Sequence, residues 1–185
     1  MDVDTAYGHL RDNLDIDVGS FFSQGDDLSL GVGKMYRGVR VPVYNEEKAI
    51  FQTALSPVYV LTHECDIDQN NPREFNDYVL VCPLIAFDKF IETYHAVWDD
   101  QQFTSFLSIL ARRRVSRVLY IPPVAEMKFG ALMYLNQITS THISALGHED
   151  ASAMSAVTSR GLRVIDYFLQ NHLLRPKTER LALTY

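Results

Sequence analysis

The sequence predicts an α+β fold that is mainly β, a small and strongly bent sheet with one inserted helix and one C-terminal helix. Two observations carry this reading. Short apolar or alternating runs recur between turn signals at 28–30, 39–44, 49–55, 58–61, 78–82, 118–121 and 132–135. Helical spacing of apolar residues stands out in two stretches, one after Asp99 and one after Thr158.

Taken in order, residues 1–22 read as an irregular acidic lead-in, and residues 23–185 as the domain itself. Gly25-Asp26-Asp27 precedes the alternating Leu28-Ser29-Leu30, a first strand, with Gly31 and Gly33 as the turn after it. Val39–Tyr44 and Ala49–Leu55 flank a charged turn at Asn45-Glu46-Glu47. Val58-Tyr59-Val60-Leu61 is continuously apolar, as a buried strand is, and Asp68-Gln69-Asn70-Asn71-Pro72 is a loop. Tyr78–Cys82 is the next buried strand, ended by Pro83. Asp99 or Asp100 caps a helix whose apolar positions are Phe103, Phe106, Leu107 and Leu110. This helix belongs to an insert at about 94–117. Strands follow at Val118–Ile121 and Leu132–Leu135. The closing helix runs from Thr158 or Ser159 to Leu174, with Leu162, Ile165, Leu169 and Leu173 as its stripe and Pro176 as its stop.

At 185 residues, with 47% hydrophobic and 22% charged residues, the chain fits one domain. A domain of this size buries roughly 70% of the surface its unfolded chain exposes, enough to fold without a disulfide or metal staple. No apolar run approaches the roughly 20 residues of a membrane span, and the first residues lack the pattern of a signal peptide. The cysteines, Cys65 and Cys82, make no disulfide framework, so a reducing cytoplasm is the expected setting. The net charge of −6 sits in residues 1–30, which hold seven Asp and one Arg, while residues 110–185 are net basic. That division argues against bulk nucleic-acid binding but permits a local basic patch.

Thr62-His63-Glu64-Cys65-Asp66 is the densest polar cluster, at the exit of a buried strand. His63 and Cys65 can act as base and nucleophile, since a nearby imidazole activates a thiol. The structural alternative has Cys65 packed inward and Asp66 bonded to the backbone of the following loop. A zinc site would take His63, Cys65, Cys82 and a carboxylate, although the spacing lacks a Cys-x-x-Cys pair. His142 and His148 read as surface residues. Arg112, Arg113, Arg114 and Arg117 form the sharpest basic cluster. They suit phosphate oxygens, or equally a solvated helix end that complements the dipole. Tyr36 and Tyr120 offer stacking faces for single-stranded RNA, whereas Phe103, Phe106 and Phe168 read as core.

One ordered set of segments goes further. Gly25-Asp26, Pro57-Val-Tyr-Val-Leu61, Val79-Leu-Val-Cys-Pro83, Leu132-Met-Tyr-Leu-Asn-Gln-Ile-Thr139 and the closing helix follow one another as in PemK/MazF toxins. The chain resembles that family over residues 22–174, apart from the insert. The resemblance implies an SH3-like β-barrel and a toxin–antitoxin or phage-defence setting. It also implies an RNA-cleaving Arg just before the Pro of the second conserved strand, and a Thr or Ser after the next one. Those positions hold Ser56 and fall on or near Ile85, and Thr139-Ser140 follow Gln137-Ile138 where the family has Arg. Cleavage by a 2′-hydroxyl needs proton transfer and a cation at the phosphate, which neither Ser56 nor Ile85 supplies.

The expected function is therefore a catalytically altered member of this type that binds a protein, or RNA, without a cofactor or metal and away from membranes. The resemblance leaves a homodimer open. Two other readings stand beside it. One is a nuclease or thiol-dependent enzyme with its site moved to His63-Glu64-Cys65-Asp66. The other is a structural subunit of a larger assembly.

Overall fold

The computed structural model describes residues 1–14, 18–23, 30–45, 47–68, 77–94, 97–112, 115 and 117–173. Among them the chain forms an α+β fold with a seven-stranded antiparallel sheet and five α-helices. The strands are β1 (Lys34–Asn45), β2 (Ile50–Val60), β3 (Tyr78–Ala86), β4 (Val118–Ile121), β5 (Ala131–Tyr134), β6 (Thr139–His142) and β7 (Ser152–Ala156). The helices are α1 (Val3–Asn13), α2 (Glu64–Ile67), α3 (Phe87–Tyr94), α4 (Asp100–Ala111) and α5 (Ser159–Leu173). The first-strand segment at Gly25-Asp26 and the loop core at 69–72 lie outside the described residues.

The sheet does not close into a barrel. Its order is β4-β5-β3-β2-β1-β7, with β6 pairing β3 off this path. β3 connects two differently built halves. In one half, β4 and β5 are buried on both faces. Leu119, Ile121 and Met133 join a core with Met35, Tyr59, Cys82 and α5's Ile165 and Phe168. Val118, Tyr120 and Leu132 face a second core under α1, α3 and α4. Burial on both faces is why Val118–Ile121 is continuously apolar rather than alternating. In the other half, β1, β2, β3 and β6 curl around Val39, Val41, Val58, Val60, Val79 and Val81, with Ile67 and Leu146 as plugs. The curl brings β6 back to β1, where the Thr141 hydroxyl donates to the Arg40 carbonyl at 2.9 Å.

Several expectations change. The lead-in is not irregular: residues 3–13 form α1, capped by the Asp2 carboxylate accepting from the Thr5 N–H at 2.8 Å. Ala6 and Leu10 are buried against α3 and α4, and His9 Nε2 lies 3.1 Å from the Ser108 hydroxyl. The segments 49–55 and 58–61 are one strand. Pro57 sits opposite a bulge in β1, between Tyr36 and Val39, where a missing N–H costs no ladder bond. Gly38 occupies that bulge at φ +66°, and a Cβ there would strike the Asp150 carbonyl. Pro83 likewise does not end β3, which runs on to pair with β5. On α5, Leu173 is exposed rather than part of the buried stripe; Ile165 and Phe168 carry it. The insert helix agrees with expectation: Asp99 caps α4 in a capping box with Gln102, and Phe103, Leu107 and Leu110 are buried.

Candidate functional site

The polar cluster at the exit of β2 is built by two anchors. Thr62 Oγ1 accepts the Leu80 N–H at 2.7 Å, and Ile67 is buried in the curled half. Between them the chain makes the single turn of α2. His63 is its N-cap, with Nδ1 accepting the Cys65 N–H at 3.4 Å and lying 3.5 Å from Glu64 Oε2. The Glu64 side chain lies directly over Gly31, whose missing Cβ makes room for it. His63, Glu64, Cys65 and Asp66 are all exposed. Cys65 therefore does not pack inward: with Ile67 filling the core position, the thiol falls on the solvent side of the turn.

Cys82 occupies a different environment. It is fully buried, its thiol points to the Tyr134 carbonyl at 3.2 Å, and burial pushes its pKa up to about 12. A thiol so disfavoured as thiolate is a core residue, not a ligand shared with Cys65. Among the described residues, no three His, Cys, Asp or Glu side chains are grouped to hold a metal ion.

At the two positions that the resemblance singles out, the Ser56 hydroxyl donates to the Pro57 carbonyl at 3.0 Å, and Ile85 packs against the helical core. Of the basic cluster, Arg112 caps the C-terminus of α4 and Arg117 precedes β4; both are exposed, and Arg113 and Arg114 lie outside the described residues. Tyr36 and Tyr120 are buried, so neither presents a face for base stacking. Burial pushes the Tyr120 hydroxyl pKa upward, and that hydroxyl donates to the Phe129 carbonyl at 2.9 Å. Tyr134 is also pushed up, to about 12, chiefly by burial and then by Tyr94, with Arg117 opposing.

The most distinctive surface is one the sequence did not single out. Beyond Arg40 and Ser56, β1 and β2 continue as a two-stranded arm. Their register sets Arg40, Pro42 and Tyr44 opposite Leu55, Thr53 and Phe51 on one outer face. On it Phe51 is 73% exposed, Leu55 59% and Tyr44 52%, and the Tyr44 and Phe51 rings meet edge to face at 5.3 Å. Val43 and Ile50 are exposed on the opposite side. At the root, Arg40 pairs with Asp150 at 3.0 Å, while Arg37 binds Glu126 at 3.2 Å and the Ser152 hydroxyl at 2.6 Å. The Glu126 pKa is lowered by a hydrogen bond from its own backbone N–H and then by Arg37. The alternation of 39–44 and 49–55 was the available signal: each has apolar residues in both phases, more than one buried face requires.

No family model matches the chain, and no curated protein matches it. Among the described residues, no helix is long and apolar enough to cross a membrane.

Proposed function

We propose that this chain is a catalytically altered protein of the PemK/MazF-like type that acts by binding another protein through the β1–β2 arm. The single observation behind this is the arm's exposed apolar face of Tyr44, Phe51 and Leu55. Large apolar side chains grouped on a protruding element are the composition of a binding patch, and Tyr is among the residues that dominate interface energies. The resemblance supplies the cytoplasmic toxin–antitoxin or phage-defence setting and an SH3-like reading of the curled half. The Ser56 hydroxyl, bonded to its own neighbour, and Ile85, packed against the helical core, support a role without the family's ribonuclease chemistry.

The test is recovery of a stoichiometric protein complex from the native host with the full chain, compared with Tyr44→Ala. The binding reading expects at least a tenfold loss of affinity in the variant, as for truncation of an interface aromatic. Equal recovery with both would place the binding surface elsewhere.

A second reading, a thiol-dependent enzyme at His63-Glu64-Cys65-Asp66, draws on one observation: Cys65 is exposed beside His63. RNA as the partner would rest on the exposed Arg112 and Arg117.

A further inference from the structure

The helices that pack on β4 and β5 carry an excess of negative charge. α1, α3 and α4 with their N-caps, residues 2–13, 87–94 and 99–111, hold seven carboxylates against two cationic side chains, Arg11 and Lys89. Arg11 is taken up by its neighbour Asp12, at 3.0 Å. Set into this layer is a groove of about 430 Å³ where the start of α1 meets the end of α3. It is lined by Met1, Val3 and Ile91 and by two acidic residues, Asp2 and Glu92. Ile91 is buried while Asp2 and Glu92 are exposed, so apolar atoms form the floor and carboxylates the rim.

The two carboxylates differ in what holds them. Asp2 is engaged as the cap of α1, its oxygens accepting from the N–H and the hydroxyl of Thr5. Glu92 lies in the last turn of α3, where the helix dipole disfavours an anion and no basic residue shares the turn. Among the described residues it forms no ion pair. A cation brought to Glu92 would meet both the carboxylate and the negative end of the helix. The complement of an apolar floor with an anionic rim is a side chain with an aliphatic stem and a cationic head, which is Lys or Arg. A nucleic acid has the wrong sign for this surface. A second groove, of about 440 Å³, opens on α4 beside Trp98, Phe106 and Ile109, and its other lining residues are polar and uncharged. Asp100 connects the two: it binds the Met1 amino group of the first at 2.8 Å and precedes Gln101 of the second. An uncharged groove beside a Trp ring takes an apolar side chain.

We infer that the helical layer docks a basic amphipathic segment of a protein partner. A Lys or Arg of that segment lays its stem on Met1, Val3 and Ile91 and brings its head to Glu92, and an apolar side chain enters the groove beside Trp98. Charge complementarity selects this occupant. The surface shares no residue with the β1–β2 arm, so the inference goes beyond the reading of the arm and is tested separately from it.

Trp98 is the chain's one tryptophan, so its emission reports the second groove. The test is titration of the full chain, at about 0.15 M salt to screen distant charges, with a tryptophan-free helical peptide of Leu and Lys and with its Leu and Glu counterpart. The Leu/Lys peptide should change Trp98 emission saturably, and the Leu/Glu peptide should not. Glu92→Lys should weaken binding by about tenfold or more, because like charges then meet. Glu92→Gln, which decides the matter if the reversal disturbs the circular dichroism, should weaken it by about threefold. Glu149→Lys makes the same change in net charge at an exposed residue between β6 and β7, and should stay within about twofold of wild type. A Leu/Lys peptide that leaves Trp98 emission unchanged would overturn the inference. So would equal losses in Glu92→Lys and Glu149→Lys, which would assign binding to overall charge, or equal binding of the Leu/Glu peptide. Spermine alone producing the same saturable change would replace the protein segment with a polyamine and overturn it too.

Discussion

The side-chain hydroxyl of Thr141 on β6 donates to the main-chain carbonyl of Arg40 on β1 at 2.9 Å, joining two strands with no ladder between them. Thr141 is buried, so this bond both satisfies the hydroxyl and holds the root of the arm. Thr141→Val keeps the shape and removes the donor, leaving the Arg40 carbonyl unpaired. A cost of about 1–3 kcal/mol is expected, read from the urea midpoint at unchanged m-value. A neutral substitution would show that the curl is held without this bond.

Tyr59 is fully buried, and among the described residues its hydroxyl has no hydrogen-bond partner. Burial, then the charge of Asp166, raises its pKa. Tyr59→Phe removes a desolvated polar group without changing the ring's packing. Thermal unfolding should show a variant as stable as the wild type or more stable, by up to about 1 kcal/mol. A clear loss would mean that the hydroxyl is paired.

The buried Cys82 thiol makes stability fall in alkali. Its pKa is about 12 in the folded chain against an ordinary 9.0, so between these values the unfolded state loses the proton first and is favoured. The stabilisation is complete below pH 9 and declines as pH rises toward 12. The slope from this group approaches about 1.4 kcal/mol per pH unit. Urea midpoints measured upward from pH 9 should show a shallower decline in Cys82→Val than in the wild type. Identical slopes would contradict a buried, protonated thiol.

Cys65 and Cys82 should separate cleanly under alkylation. In the native protein iodoacetamide should modify Cys65 alone, with Cys82 reached only after unfolding, as peptide mass spectrometry would show. On the binding account, His63→Ala leaves the rate at Cys65 within about twofold, because His63 Nδ1 accepts its hydrogen bond from the Cys65 backbone N–H. A tenfold fall would show that the imidazole activates the thiol and would favour the enzyme reading.

Much of this fold was legible in the sequence wherever one signal dominated. Val118–Ile121 and α4 carried unmixed patterns, an apolar run and a cap with helical spacing. The misses have separate causes. α1 has Ala6, Tyr7 and Leu10 at helical spacing after a capping Asp2, but the five aspartates of residues 1–22 made the segment look solvated. α3 follows β3 without a break, so Phe87, Phe90 and Ile91 read as neither helix nor strand. Pro57 and Pro83 looked like strand ends, yet both sit where the ladder asks no N–H of them or changes neighbour. The arm was harder still. Exposure of Tyr44, Phe51 and Leu55 depends on how far β3 extends along β2, and no local pattern encodes that. Of the two readings of Cys65, the inward-packed one fails because Ile67, two residues on, takes the core position instead.

The most direct test of the binding account is the mass and composition of the complex formed by the full chain in its native host, for wild type and Tyr44→Ala, by light scattering after size exclusion. The account predicts a defined complex of this chain with another protein, lost or weakened at least tenfold in the variant while the variant's own fold is unchanged. A complex of the same mass and stability with Tyr44→Ala would contradict it.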